Sequence, residues 1–317
     1  MRSKPLLIAV VSVAILCGCL GDDPVETYPD VEREDRIPAD AAKMLPEGDD
    51  HPPVLNSDEF ESPIPLPYPV NTAGAEDSPF ILPDGKTLYF FFTPDVDVPP
   101  EKQILDDVTG IYVSENRGGE WGKPERVWLQ DPGKLALDGA AYVGLDIIWF
   151  ASAREGYTGV NLFTAELVDG EWKNWRYVGD DLMVDRQVGE MHIHGDDLYY
   201  HSDRSGGSGG FDIWMISRED GGWSDPVNIE AVNTEAMDGY PFISEDGSEL
   251  WFTRTYMGTP GIFRSVNVND SWSEPELIVS QFAGEPTLDT DGNLYFVHHF
   301  YENEAMIEAD LYVAYRK

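Results

Sequence analysis

The sequence predicts an all-β chain folded as a five-bladed β-propeller, and three recurrences carry that expectation. Tryptophans follow polar, Gly- or Asp-rich turns at Trp121, Trp172, Trp223 and Trp272, 49–51 residues apart. Aliphatic–aromatic pairs recur at the same interval: Ile111-Tyr112, Leu162-Phe163, Ile213-Trp214, Ile262-Phe263 and Leu311-Tyr312. A third set is purely aromatic and follows a turn: Tyr89-Phe90, Trp149-Phe150, Tyr199-Tyr200, Trp251-Phe252 and Tyr295-Phe296.

Three of those turns are Asp-Gly, at 84–85, 246–247 and 291–292. Asp-Gly between alternating apolar residues is a strong hairpin signal. Each unit therefore reads as four short strands, and four strands in a repeat of roughly 50 residues make a propeller blade. The units start near Asp77, Asp138, Glu190, Gly239 and Glu285. The fifth lacks an outer strand. Residues 62–80 align without gaps with 224–242, matching Val70-Asn71-Thr72 to Val232-Asn233-Thr234 and Pro79-Phe80 to Pro241-Phe242. The N-terminal segment is thus expected to complete the last blade, which would hide two sheet edges.

Residues 1–19 read as a secretory leader. Arg2 and Lys4 precede the apolar run Pro5–Leu16, which is shorter than the roughly 20 residues a spanning helix needs. The end of that run, Leu16-Cys17-Gly18-Cys19, resembles a bacterial lipobox. The resemblance implies lipidation of Cys19 and export to a cell-envelope membrane, on its periplasmic or cell-surface side. Residues 20–60 are rich in Asp, Glu and Pro and read as a flexible acidic tether, with the propeller at 61–317.

Acidic residues number 59 against 21 basic, a formal charge of −38. That balance excludes nucleic acid as a partner and leaves glycans, small polar ligands, cations and envelope proteins. A monomer is expected. The two cysteines both lie in the leader region, so a disulfide or thiolate-zinc site in the domain is excluded. No nucleophile elbow, phosphate loop, dinucleotide fingerprint or His-Glu-x-x-His is present.

The stretch Ser202-Asp203-Arg204-Ser205-Gly206-Gly207-Ser208-Gly209-Gly210-Phe211-Asp212-Ile213-Trp214, with Gly222-Trp223-Ser224-Asp225-Pro226-Val227 and the turn at Leu82–Phe90, resembles the WD40-like propeller repeat of Tol-type periplasmic proteins and lipoproteins. The resemblance implies the fold and leaves function open. The acidic surface and the insertion from Thr93 to Thr109 depart from it.

Acidic residues mark every blade entry: Glu76 and Asp77, Asp138, Glu190, Asp238 and Glu285. They are expected to converge around the central channel, where like charges raise one another's pKa or recruit a cation. Arg154, Arg204, Arg254, His298 and His299 follow the second strands and belong to the same face, and His192 lies on the third innermost strand. Several uses compete. Arginine–acid pairs could simply fix loops. A binding module could take a glycan, a small polar ligand or a partner protein, with Tyr240, Tyr256, Tyr157 and Trp149 as stacking faces. The Gly-rich loop Ser205–Gly210 would then admit ligand to the backbone. The order Asp77, Asp138, Glu190 also resembles arabinanase-like five-bladed glycosidases. That resemblance implies Asp77 as general base, Asp138 as the residue tuning it and Glu190 as general acid. Clustered carboxylates at the channel mouth suit Ca²⁺ as well, and no other cofactor is indicated. The leading expectation is an envelope binding or scaffolding module, with a glycoside hydrolase as the alternative.

Overall fold

The computed structural model describes residues 27–317; the expected leader and Cys19 lie outside the described residues. The first three recurrent strands are Ala75–Ile81, Thr87–Thr93 and Gly110–Arg117, edged by the short pieces Glu120–Trp121 and Glu125–Arg126. The second meander is Ala136–Val143, Ile147–Arg154, Asn161–Val168 and Glu171–Tyr177. The third is Met191–His194, Asp197–Ser202 and Asp212–Glu219, edged by Gly222–Trp223 and Val227–Asn228. The fourth is Asp238–Ile243, Glu249–Tyr256, Thr259–Val266 and Glu276–Ser280, and the fifth Ala283–Leu288, Leu294–Glu302 and Ala305–Ala314. Within each meander neighbouring strands pair antiparallel. The Asp-Gly turns form as expected: Gly85, Gly247 and Gly292 take φ of 65°, 71° and 78°, a backbone open to glycine at no steric cost.

The pleat explains the core. Along each second strand, alternate residues point to opposite faces. Leu88 and Phe90, Ile148 and Phe150, Leu198 and Tyr200, Leu250 and Phe252, Leu294 and Phe296 are all buried. Tyr89 and Ile111 of the first meander pack with Ile148 and Phe150 of the second, and Trp149 and Leu162 of the second with Leu198 and Tyr200 of the third. The innermost strands neighbour one another in chain order, and the fifth neighbours the first.

The expected outer strand of the fifth meander is Ile64–Pro65, which pairs with Ala305–Ala314. The repeat alignment also holds at the level of single hydrogen bonds. Asn71 donates to the carbonyl of Leu311 at 2.9 Å and accepts its N–H at 3.0 Å. Asn233 makes the same two bonds to Ile213, both at 2.8 Å.

The flexible tether is corrected for the described residues 27–60. They lie on the meanders because their few charged and apolar groups find buried partners. Val54–Leu55 adds a strand beside Glu276–Ser280. Phe60 is fully buried and meets the edge of Trp251 at 6.0 Å. Arg33 is buried, bonded to Glu76 and to the carbonyl of Val70, and Lys43 binds Glu308 and Asp310. Composition alone concealed this, since acidic and Pro-rich sequence reads as solvated chain.

Candidate functional site

Four innermost strands slip register at one place: between Asp77 and Phe80, Gly139 and Tyr142, Gly239 and Phe242, Gly284 and Thr287. In the third meander regular pairing starts just past the equivalent point, at Met191 opposite Tyr200. The side chains held at this slip are Ser78, Ala140, Glu190, Tyr240 and Glu285, one from each innermost strand. They line one small cavity of about 50 Å³. Ser78, Ala140, Tyr240 and Glu285 take φ of 46–55°, a left-handed backbone that costs non-glycine residues roughly 1–2 kcal/mol. Bulges of this kind re-aim side chains and gather beside functional sites.

Two residues further along each strand, Phe80, Tyr142, His192, Phe242 and Thr287 form a collar. His192 contacts Phe242 at 4.4 Å, Tyr142 at 5.1 Å and Phe80 at 5.9 Å. Burial pushes His192 down to about 3, so its ring is neutral, and its Nδ1 accepts the Ile243 N–H at 3.4 Å. Beyond the collar lies a wider cavity of about 650 Å³, rimmed by Glu245, Asp246, Asp289 and Arg316.

The mouth carries three electrostatically linked carboxyl groups. Asp77 accepts the Ser78 N–H at 2.8 Å and faces His299 Nε2 at 3.7 Å. Burial works to raise its pKa, but His299 and the Ser78 amide prevail and hold it below the ordinary value. Glu190 has no such partner: burial, then the charge of Asp77, pushes it up to about 8. Glu285 is driven well above its ordinary value by burial, then by Asp77 and Glu190. Its Oε2 is buried without a protein partner. Burial and the same carboxyls raise the Tyr240 phenol, which stays an O–H donor. The surroundings therefore favour the carboxylate at Asp77 and the protonated acid at Glu190 and Glu285, beside a phenol.

His201, which the sequence did not single out, braces the mouth. Its Nδ1 accepts the Tyr240 N–H at 3.2 Å, and burial lowers it to about 4. Its only sequence signal is an ionisable ring where the other second strands carry Phe91, Ala151, Thr253 and Val297.

The remaining expected site residues do not join this mouth. Asp138 and Arg154 form a buried ion pair at 2.8 Å, with the guanidinium 4.3 Å from the Phe163 ring. Asp238 binds Arg254 at 2.5 Å and accepts from the amide and hydroxyl of Thr234. Glu76 accepts in the same way from Thr72 and from Arg33. These three acids share one register position, and Val188 and Ala283 occupy it in the third and fifth meanders. The supposed ring of entry acids is thus two sets: paired acids inside the loops, and Asp77, Glu190 and Glu285 at the axis. Consequently Asp138 does not stand with Asp77 and Glu190, and Glu285 does. Arg204 repeats the register of Arg154, but Val188 stands in the place of the acid; Arg204 donates to the Arg186 carbonyl at 3.0 Å and lies over Trp214 at 5.0 Å. His298 is buried against Asp49 at 2.8 Å.

The loop Ser205–Gly210 folds onto Asp212: the Ser208 N–H reaches its carboxylate at 2.5 Å, and a Cβ on Gly207 would sit 1.8 Å from it. Trp149 is core, whereas Tyr157 and Tyr256 are exposed. Among the described residues no group of three or more His, Cys, Asp or Glu is placed to hold a metal ion.

No protein-family model and no curated protein matches the chain. Solved structures do. The catalytic domain of the GH62 α-L-arabinofuranosidase of Coprinopsis cinerea superposes with a TM-score of 0.50 at 12% identity, covering 82% of this chain and 96% of that one. The fold is that of a β-propeller. A GH43B protein of Bacteroides ovatus matches with a TM-score of 0.49 at 14% identity over 80% of this chain and 54% of that one. TolB of Acinetobacter baumannii gives 0.44 at 12% identity over 78% of this chain, which spans 56% of TolB. At such identities the likeness concerns the fold alone.

Proposed function

We propose that the five meanders are the blades of one propeller, carried by an exported lipoprotein anchored through Cys19, and that the propeller is a binding module whose axial mouth takes the hydroxyl groups of a glycan. The observation that carries this reading is the convergence of Asp77, Glu190, Glu285 and Tyr240 at the axis, while Glu76, Asp138 and Asp238 are each neutralised by a cation. Glu190 and Glu285, whose burial favours the protonated form, and the phenol can both donate and accept, and Asp77 accepts. Vicinal hydroxyls offer the matching donors and acceptors. The cavity of about 50 Å³ corresponds to roughly two waters at about 30 Å³ each. It suits the edge of a sugar, with the ring resting above. The strong negative charge disfavours anionic ligands.

A second reading is glycoside hydrolysis. The observation favouring it is the split between Asp77, held below its ordinary pKa, and Glu190, held up to about 8. Environments that push two carboxyls apart separate a general base from a general acid. Glu285 takes the place that the arabinanase resemblance gave to Asp138.

Calorimetric titration of the full chain with neutral xylo-, arabino- and gluco-oligosaccharides, with chromatography of the products, separates the readings. Saturable binding without cleavage, weakened in Glu285→Gln, supports the module. Cleavage that vanishes in a folded Glu190→Gln supports the hydrolase. Neither binding nor cleavage by the wild-type chain overturns both.

A further inference from the structure

The wider cavity on the far side of the collar has a chemistry of its own. Its volume of about 650 Å³ falls in the range of about 300–1,000 Å³ that small-molecule sites occupy. Its floor is the collar itself: Phe80, Tyr142, Phe242 and His192. His192 is only 9% exposed. Its Nδ1 accepts the Ile243 N–H, so the neutral ring carries its proton on Nε2. Ile243 borders the wider cavity and not the small one, and the bond to it turns the nitrogen edge of the ring that way. The Nε2–H has no partner among the described residues and, unlike Oε2 of Glu285, is not closed off from solvent. An unused donor therefore opens on an apolar, aromatic floor.

The rim is acidic, and its guanidinium is engaged elsewhere. Arg316 binds Glu59 at 2.7 Å and lies 3.9 Å from Glu249. Arg264 shares both of those acids and takes Glu276 as well. Two guanidiniums thus meet three carboxylates, and no positive charge is left over. His194 Nε2 meets the backbone carbonyl of Glu245 at 3.1 Å, not its carboxylate. Glu245, Asp246 and Asp289 form no ion pair among the described residues. Two of them are held in place. Asp246 accepts the hydroxyls of Ser248 and Ser244, each at 2.7 Å, and the Ser248 N–H at 3.0 Å, contacts that bring it down to about 2. Asp289 accepts the backbone and side-chain N–H of Asn293 at 2.9 and 2.8 Å. The three acids come from the turns of the fourth and fifth meanders and are not grouped to clamp a metal ion.

An apolar floor, one free N–H and a negative rim call for a ligand with a carbon body, an acceptor at its inner end and a positive charge at its outer end. Aromatic rings also attract organic ammonium groups directly. A neutral sugar leaves the rim unanswered, and an anion is repelled by it. We propose that the cavity beyond the collar is a second binding site, for a hydroxylated organic ammonium ion such as an amino sugar or an amino alcohol. The ligand hydroxyl accepts the His192 N–H, and its ammonium group meets Glu245, Asp246 and Asp289. The collar separates this site from the axial mouth, so it stands whether or not the mouth takes a glycan.

The test is calorimetric titration of the full chain, at slightly acid pH, with glucosamine against glucose and ethanolamine against ethylene glycol. At least one amine should bind saturably, and its uncharged counterpart about tenfold more weakly or worse, as suits the loss of a charge-assisted contact. Glu245 is exposed, so Glu245→Lys leaves the fold intact, reverses charge on the rim and should abolish binding. His192→Phe keeps a ring in the collar without its N–H and should weaken binding roughly threefold, the scale of one neutral hydrogen bond; if that variant does not fold, Glu245→Lys decides alone. Glu285→Gln alters the axial mouth and should leave this affinity unchanged. No saturable amine binding, equal binding of an amine and its uncharged counterpart, indifference to Glu245→Lys or to a folded His192→Phe, loss in Glu285→Gln, or displacement by an equal concentration of calcium chloride would overturn the proposal.

Discussion

Asp138 and Glu190 are both acids at the entry of an innermost strand, yet they meet opposite surroundings. Asp138 is fully buried against Arg154, and removing one partner of such a pair strands the other charge. Asp138→Asn and Arg154→Met are each expected to lower unfolding free energy in urea by about 3–5 kcal/mol, with no specific effect on ligand. Glu190 instead carries a pKa raised from 4.5 to about 8. The native state holds the extra proton between those values, so the contribution of this group is complete below about pH 4.5 and is lost as pH rises through 8. Glu190→Gln should therefore leave the melting temperature near the wild-type value at pH 5 and raise it at pH 9. An unchanged difference across that range would contradict the assignment. The sequence marked both residues as acids at blade entries. Strand pairing separates them, with Val188 and Ala283 in the place of the missing acids.

At the level of the strand, the register slip is the device that matters. It turns one side chain per innermost strand into the axis; a glycine precedes the slip at Gly139, Gly189, Gly239 and Gly284, but the residue that takes the left-handed backbone at Tyr240 or Glu285 is not itself a glycine, so the slip was not legible. Strand identity was legible: the aromatic pairs and Asp-Gly turns lie where the recurrences put them. So was the swap of the N-terminal segment into the last meander, since the matched Asn71 and Asn233 do the same work on Leu311 and Ile213. Replacing either asparagine by leucine orphans a buried N–H of a third strand, while the carbonyl keeps the backbone N–H of Leu66 or Ile229. Each orphaned group costs about 1–3 kcal/mol, so Asn71→Leu should destabilise the fifth meander by about as much as Asn233→Leu destabilises the third. Hydrogen exchange at Leu311 and Ile213 reads this directly, with faster exchange expected in the matching variant.

Over the whole molecule, residues 27–60 behave as a strap across the meanders. Buried or half-buried polar contacts hold it: the ion pairs of Arg33 with Glu76 and of Lys43 with Glu308 and Asp310, and the hydrogen bond between His298 and Asp49. A chain beginning at residue 61 leaves those acids without their cations and His298 without Asp49, and its melting temperature is expected to fall sharply; a tether would be removed without effect. The central claim is that the axial carboxyls are the ligand site and act with Glu190 protonated. The most direct measurement is the affinity of the best-binding neutral oligosaccharide from pH 5 to pH 9, in the wild-type chain and in Glu190→Gln. Affinity should hold at low pH and fall as pH rises through about 8, where Glu190 loses its proton, and the variant should lose that dependence. A flat profile in the wild-type chain, or the same decline in the variant, would contradict the claim.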